Sequence, residues 1–278
     1  MLFRIALKSF SNLIWSTIFF VLPAQASLLY NNIPASQSPD RSWAYEVDQT
    51  AEFGALVQVG DGSPATLDSA VVAMSNWAVQ SSWSGVGTSN GFSVPLTLNL
   101  YNLGPDGAVG TLFSTITVNA LIPWRPEADP VHCGAGTTQY YGDDGVCHDG
   151  SLSTVTFNLG GVNAPGQFIY GLAYNTEDWG SQPTGVDGPY DSLNFSLSTD
   201  PPSVGSNPLP DTAYLNTSIP GWYSDHGPSG TFRQDQGWSS YGSGAIQFNG
   251  SAATPEPSTL LLVGLSIAGL GAKVAFRR

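Results

Sequence analysis

Glu177, Asp178 and Trp179 are consecutive, and an acidic pair beside an indole suits a sugar. The ring can stack on the apolar face of a pyranose, and two carboxylates at the correct separation can cleave a glycosidic bond. Consecutive residues of an extended strand face opposite sides, so these two carboxylates do not simply make a catalytic pair. A polar loop around a partly buried tryptophan is the plainer reading. A second group surrounds the cysteines: His132-Cys133 and Cys147-His148, with Asp143, Asp144 and Asp149. The three aspartates could hold Ca²⁺, although they lack the ligand ladder and closing glutamate of an EF-hand, and solvated turn carboxylates are commoner. A Cys₂His₂ zinc set is conceivable, but adjacent ligands diverge on an extended chain and the spacing matches no known finger. No G-x-S-x-G elbow, H-E-x-x-H pair or phosphate loop occurs, and Asp225-His226 has no nucleophile placed beside it. The expectation is a chain with no catalytic residues and no obligatory cofactor, with Ca²⁺ as the metal for which ligands exist.

The tryptophans are the other chemical resource. Trp77 falls in the apolar run Ser69–Val79 and reads as core. Trp179, Trp222 and Trp238 lie among Gly, Pro and Asp and are candidates for an exposed, glycan-stacking face.

The elements that must position these groups are strands. Phe92, Val94, Leu96, Leu98 and Leu100 alternate strictly, as a half-buried strand does. Pro105-Asp106-Gly107 is a turn, and Leu112–Val118 reads as the return strand. Glu52–Val59, the 155–159 and 168–174 segments, Leu193–Leu197 and Ala245–Phe248 supply further short strands. Ser198–Pro210 reads as a long loop, and no long helical period occurs in the body. Many short strands between turn clusters predict an all-β fold, a single β-sandwich of jelly-roll-like type.

Both chain ends look like addresses. Arg4 and Lys8, the apolar Leu13–Leu22 run and Ala24-Gln25-Ala26 read as a signal peptide over 1–26, cleaved before Ser27. Residues 27–250 then form the ectodomain, and 251–278 a linker and tail. Within the tail, Ser258 to Phe276 carries one charge, Lys273. About 19 helical residues span about 28 Å, enough for a hydrocarbon core of about 30 Å. Lys273, Arg277 and Arg278 place the C-terminus on the cytoplasmic side and the body outside. In an exported protein, Cys133 and Cys147 are expected to form a disulfide. Between the two ends, 21 acidic residues face three arginines, Arg41, Arg125 and Arg233, a net charge of −18. Such a surface repels phosphate backbones and argues against nucleic acid as a partner.

Pro255-Glu256-Pro257, the apolar span and the terminal arginines together resemble the PEP-CTERM sorting signal of Gram-negative bacteria. The resemblance covers about 25 residues. It implies recognition of Pro255, Glu256 and Pro257 by an exosortase, a membrane transpeptidase. It also implies export across the inner membrane, transient anchoring through the C-terminal helix, and a destination at the cell surface or outside it, in bacteria that make exopolysaccharide. The body is similar to an uncharacterised secreted bacterial β-domain. The residues that carry this are Ile122-Pro123-Trp124-Arg125-Pro126, the two cysteines, Gly188 to Asn194, and Gly237-Trp238. That second resemblance implies no chemistry. The expected role is a non-enzymatic, exosortase-sorted surface or matrix protein associated with exopolysaccharide. The alternatives are a carbohydrate-active enzyme or Ca²⁺-dependent carbohydrate-binding module of sandwich fold, and a purely structural or adhesive module.

Overall fold

The computed structural model describes residues 27–224 and 227–252. The expected signal peptide, the C-terminal span with its sorting motif, and Asp225-His226 lie outside the described residues. The first half of the chain forms β1 (Ser27–Asn31), β2 (Ser42–Ala44), β3 (Thr50–Gln58), β4 (Ala65–Asn76), β5 (Phe92–Leu103) and β6 (Val109–Ile122). The second half forms β7 (Tyr140–Tyr141), β8 (Cys147–His148), β9 (Ser151–Ala164), β10 (Gln167–Ala173), β11 (Leu193–Ser198), β12 (Thr212–Thr217), β13 (Arg233–Gln236), β14 (Ser243–Gly244) and β15 (Ile246–Ala252). The helical elements among the described residues are short 3₁₀ turns.

Two antiparallel sheets make the sandwich, as expected. One follows the order β1-β15-β4-β11-β14, with β9 also on β4 and β2 on β11; the other runs β13-β12-β3-β10-β5-β6. The binary pattern explains the facing. In β5, Phe92, Val94, Leu96, Leu98 and Leu100 are all buried, while Ser93 and Pro95 are exposed. The β5–β6 hairpin closes through Pro105–Gly107, where Asp106 and Gly107 both take positive φ, 55° and 82°. Asparagine, aspartate and glycine tolerate that region best, which is why this tripeptide turns the chain. Phe53, Phe157, Phe168, Phe195, Phe248 and Tyr170 fill the space between the sheets. Phe168 meets Phe248 edge-on at 5.2 Å and Phe53 meets Phe195 at 6.3 Å. Such pairs add about 0.5–1.5 kcal/mol beyond the area they bury.

Trp77 departs from expectation. It is not in the core: β4 ends at Asn76, and Trp77 is 39% exposed. The Asn76 carboxamide ends the strand. Its Oδ1 accepts the Ala78 N–H at 3.0 Å, and its Nδ2 reaches the Pro123 carbonyl at 2.8 Å. That local turn takes the chain off the ladder before the indole, whose Nε1 donates to Ser75 Oγ at 3.0 Å.

The outer face of the six-stranded sheet is divided. At one end Leu56, Ile169 and Tyr214 form a small second core under Leu209 and Phe232. At the other end the same face turns polar, around Glu52.

Candidate functional site

Strand β3 is apolar on its inner face through Phe53, Ala55 and Val57, which leaves Glu52, Gly54 and Leu56 on the outer one. Register then sets the neighbours of Glu52. Asn216 of β12 and Ala173 of β10 lie directly across from it, and Thr97 of β5 pairs Ala173. One row further along the sheet come Tyr214, Gly54, Gly171 and Asn99. The Glu52 side chain leans across this second row towards β5. Gly171 makes that possible: a Cβ there would lie 2.1 Å from Glu52 Oε1. Asn99 Nδ2 donates to Oε1 at 2.9 Å, and the Tyr101 hydroxyl donates to the same oxygen at 3.0 Å. Thr115 donates to Asn99 Oδ1 at 2.8 Å, fixing the amide orientation. Burial pushes the Glu52 carboxyl above its usual range, and the hydrogen bonds from Asn99 and Tyr101 offset this in part. Burial and the Glu52 charge also push the Tyr101 phenol upward, so it remains a donor.

Over this floor opens a cleft of about 450 Å³. Thr97, Asn99 and Asn216 line it beside Glu52, and Asn175, Gly180 and Ser181 of the loop after β10 wall it. Among the described residues that line it, Glu52 is the one carboxylate. Hydroxyl, amide and carboxylate groups on a rigid sheet provide both donors and acceptors for a polyhydroxylated ligand. The second oxygen, Oε2, is contacted by the Tyr101 hydroxyl at 3.2 Å. In the sequence Glu52 and Asn99 stand within strand segments, and no local pattern marks them or Tyr101 as a site. The available signal was a single carboxylate inside an otherwise apolar strand.

The groups singled out from sequence fall elsewhere. Cys133 and Cys147 form the expected disulfide, with their Cα atoms 5.7 Å apart, which leaves no thiolate for zinc. The three aspartates near it are not brought together as one ligand set. Asp143 is exposed, Asp144 pairs His148 at 2.9 Å, and Asp149 accepts from Gln139 Nε2 at 2.9 Å. Among the described residues the convergent carboxylates are Glu177, Asp187 and Asp191, whose ligand atoms lie within 4.8 Å of one another. Burial first, then the charges of Glu46 and Asp187, push Asp191 up to about 6 even though it accepts the Gly188 and Glu177 N–H groups. Glu177 is raised by burial and by Asp178, Asp187 and Glu46. Trp179 is half-buried in the same turn, its carbonyl bound to the Thr176 N–H at 2.8 Å. Trp222 is 41% exposed and meets Trp43 edge-on at 5.6 Å. Trp238 packs on the main core, 5.0 Å from Trp43, and its Nε1 donates to Asp235 at 2.8 Å.

His148 holds the disulfide loop to the segment before β2. It is buried, and both ring nitrogens meet carboxylates, Asp40 at 3.0 Å and Asp144 at 2.9 Å. Only an imidazolium donates at both positions. Burial opposes the charge, but the hydrogen bonds and charges of Asp40 and Asp144 outweigh it and hold His148 above its usual value. Asp40 is exposed; the part of it that is covered pushes its carboxyl up, but the Gly150 N–H, His148 and the Asp149 N–H outweigh this and hold it low. Asp144 is held low by His148 and the Val146 N–H. A raised histidine stabilises fully below about pH 6.5, and the benefit is lost as pH rises through its folded value. Lowered aspartates stabilise above about pH 3.9, and theirs is lost as pH falls. The clamp is therefore strongest between about pH 4 and 6.5. The gap in Tm between the wild type and His148→Gln is expected to peak in that window and shrink by about pH 8. Two parallel Tm–pH curves would show that His148 carries no linked charge.

Residues 253–278 match the family model of the PEP-CTERM protein-sorting motif, a segment that contains Pro255, Glu256 and Pro257. The motif implies processing by exosortase and an extracellular or cell-surface location. The match does not reach the β body. No curated protein and no solved structure matches the chain.

Proposed function

We propose that this exosortase-targeted chain is a non-enzymatic surface or matrix protein that holds exopolysaccharide in the cleft over Glu52. The sorting motif is the premise for its location. The carrying observation for its role is the polar floor in which Asn99 and Tyr101 present the buried Glu52 to an open cleft. Cleavage by two carboxyls needs a pair about 5–10 Å apart in a groove. The described lining residues supply hydroxyl, amide and carboxylate groups suited to holding a polyhydroxylated ligand, and this reading assigns them to binding. In this reading the signal peptide is removed after Ala26, the 258–276 segment anchors the chain transiently in the inner membrane of a Gram-negative cell, and exosortase acts near Pro255-Glu256-Pro257.

A panel of neutral and acidic polysaccharides, offered with Ca²⁺ and then with a chelator, tests the binding half. Neutral glycan binding that survives chelation supports the Glu52 cleft. Binding lost on chelation would move the site to a Ca²⁺-held set, with Glu177, Asp187 and Asp191 the first carboxylates to substitute. No binding to any glycan would leave an adhesive or scaffold domain. Deleting 254–278 tests the sorting half. The truncated chain is expected to leave the cell-surface fraction and collect as soluble exported protein in fractionated cultures. An unchanged distribution would remove the sorting step from this reading.

A further inference from the structure

A second cleft, of about 400 Å³, lies beyond the end of β4. Trp77, Trp83, Ser82, Arg125, Thr138 and Asp149 are among the residues that line it, and among the described residues none lines both this cleft and the Glu52 cleft. Arg125 is 8% exposed, in a body where arginines are the only basic side chains other than histidine and carry a small share of the charge. Its backbone N–H pairs with the Ala78 carbonyl at 3.0 Å, which fixes its place beside the turn after β4. Nη1 donates to the Thr138 carbonyl at 2.6 Å. Nε is buried and has no hydrogen-bond partner. Among the described residues no carboxylate forms an ion pair with this guanidinium; the three ion pairs present all involve His132 or His148. A guanidinium does not deprotonate to escape burial, so a buried one calls for an anionic acceptor.

We propose that this cleft binds a carboxylate-bearing saccharide, a uronate residue, with the carboxylate on Arg125 and a sugar face against the exposed indole of Trp77. Arg suits a carboxylate because its planar fork matches the two oxygens. Trp77, 39% exposed, offers a flat apolar face of the kind a pyranose stacks on, and Ser82 and Asp149 offer a hydroxyl and an acceptor for ring hydroxyls. The net charge of −18 repels a dense polyanion, so the ligand is an isolated uronate within an otherwise neutral glycan.

The test uses the full chain in detergent, with tryptophan fluorescence titrated by methyl galacturonoside, which carries one carboxylate, and by its uncharged methyl ester. The acid is expected to bind at least tenfold more tightly than the ester. Trp77→Ala is expected to weaken the acid at least tenfold, and Arg125→Lys, which keeps charge but loses the fork, to narrow the acid–ester ratio. Should Arg125→Lys fail to fold, the acid–ester ratio and Trp77→Ala decide alone. Glu52→Gln is expected to leave methyl galacturonoside binding unchanged, which separates this site from the one proposed above. Equal binding of acid and ester, no binding, indifference to Trp77→Ala, or displacement by acetate at matched concentration would each overturn the assignment.

Discussion

Replacing Glu52 by glutamine is expected to lower the affinity of the outer-face cleft for a neutral saccharide by roughly 10- to 100-fold. Hydrogen bonds to a charged acceptor contribute about 1.5–3 kcal/mol, and an amide retains only part of that. The fold itself should not suffer. Asn99 and Tyr101 both donate to Oε1, and an amide oxygen can accept from both. The raised carboxyl titration means that the ionised group opposes folding near neutral pH, because the folded state binds its proton more tightly than the unfolded chain does. Glu52→Gln should therefore keep or slightly raise the Tm at pH 7 while affinity falls, read by calorimetric titration and melting on the same sample. A fall in Tm of several degrees with affinity unchanged would make Glu52 a structural group only. Gly171→Ala is the companion variant. Its Cβ would press on the Glu52 carboxylate at 2.1 Å and lift it from its cradle, so affinity should fall without any change of charge.

Removing the disulfide through Cys133→Ala with Cys147→Ala is expected to destabilise the protein by about 3 kcal/mol, the chain-entropy value for a loop of about 15 residues. For a body of this size that corresponds to a Tm lower by about 6–12 °C. The bridged segment has little regular structure to hold it. Its ladder is the two-residue pair β7–β8, and the remaining ties are local turns and the His148 clamp. Reducing the wild type should reproduce the shift measured by differential scanning calorimetry. An unchanged Tm would mean that Asp40, His148 and Asp144 close the loop without the covalent bond.

The two variants test features of different legibility. The disulfide, the alternating β5, its turn at Pro105-Asp106-Gly107 and the tail at 253–278 are linear signals: a period of two, a turn tripeptide, a charge pattern at a chain end. Each is dictated by residues close in the chain, so the sequence alone determined them, and with them the all-β class and the address. The short strands β12 and β13 escaped notice because their apolar positions are few and their place is set by pairing with β3 and with each other. Trp77 was misjudged because Asn76 ends the strand one residue earlier, through bonds to Ala78 and Pro123 that no periodicity reveals. The Glu52 cleft draws on β3, β5, β10 and β12, and Arg125 lines the second cleft with Trp77 from nearly fifty positions away. Register across four strands brings the side chains around Glu52 to one surface, and register follows from how the whole apolar set packs between two sheets. Where the protein goes is written in adjacent residues. What its surface can hold was decided only when strands distant in sequence were laid side by side.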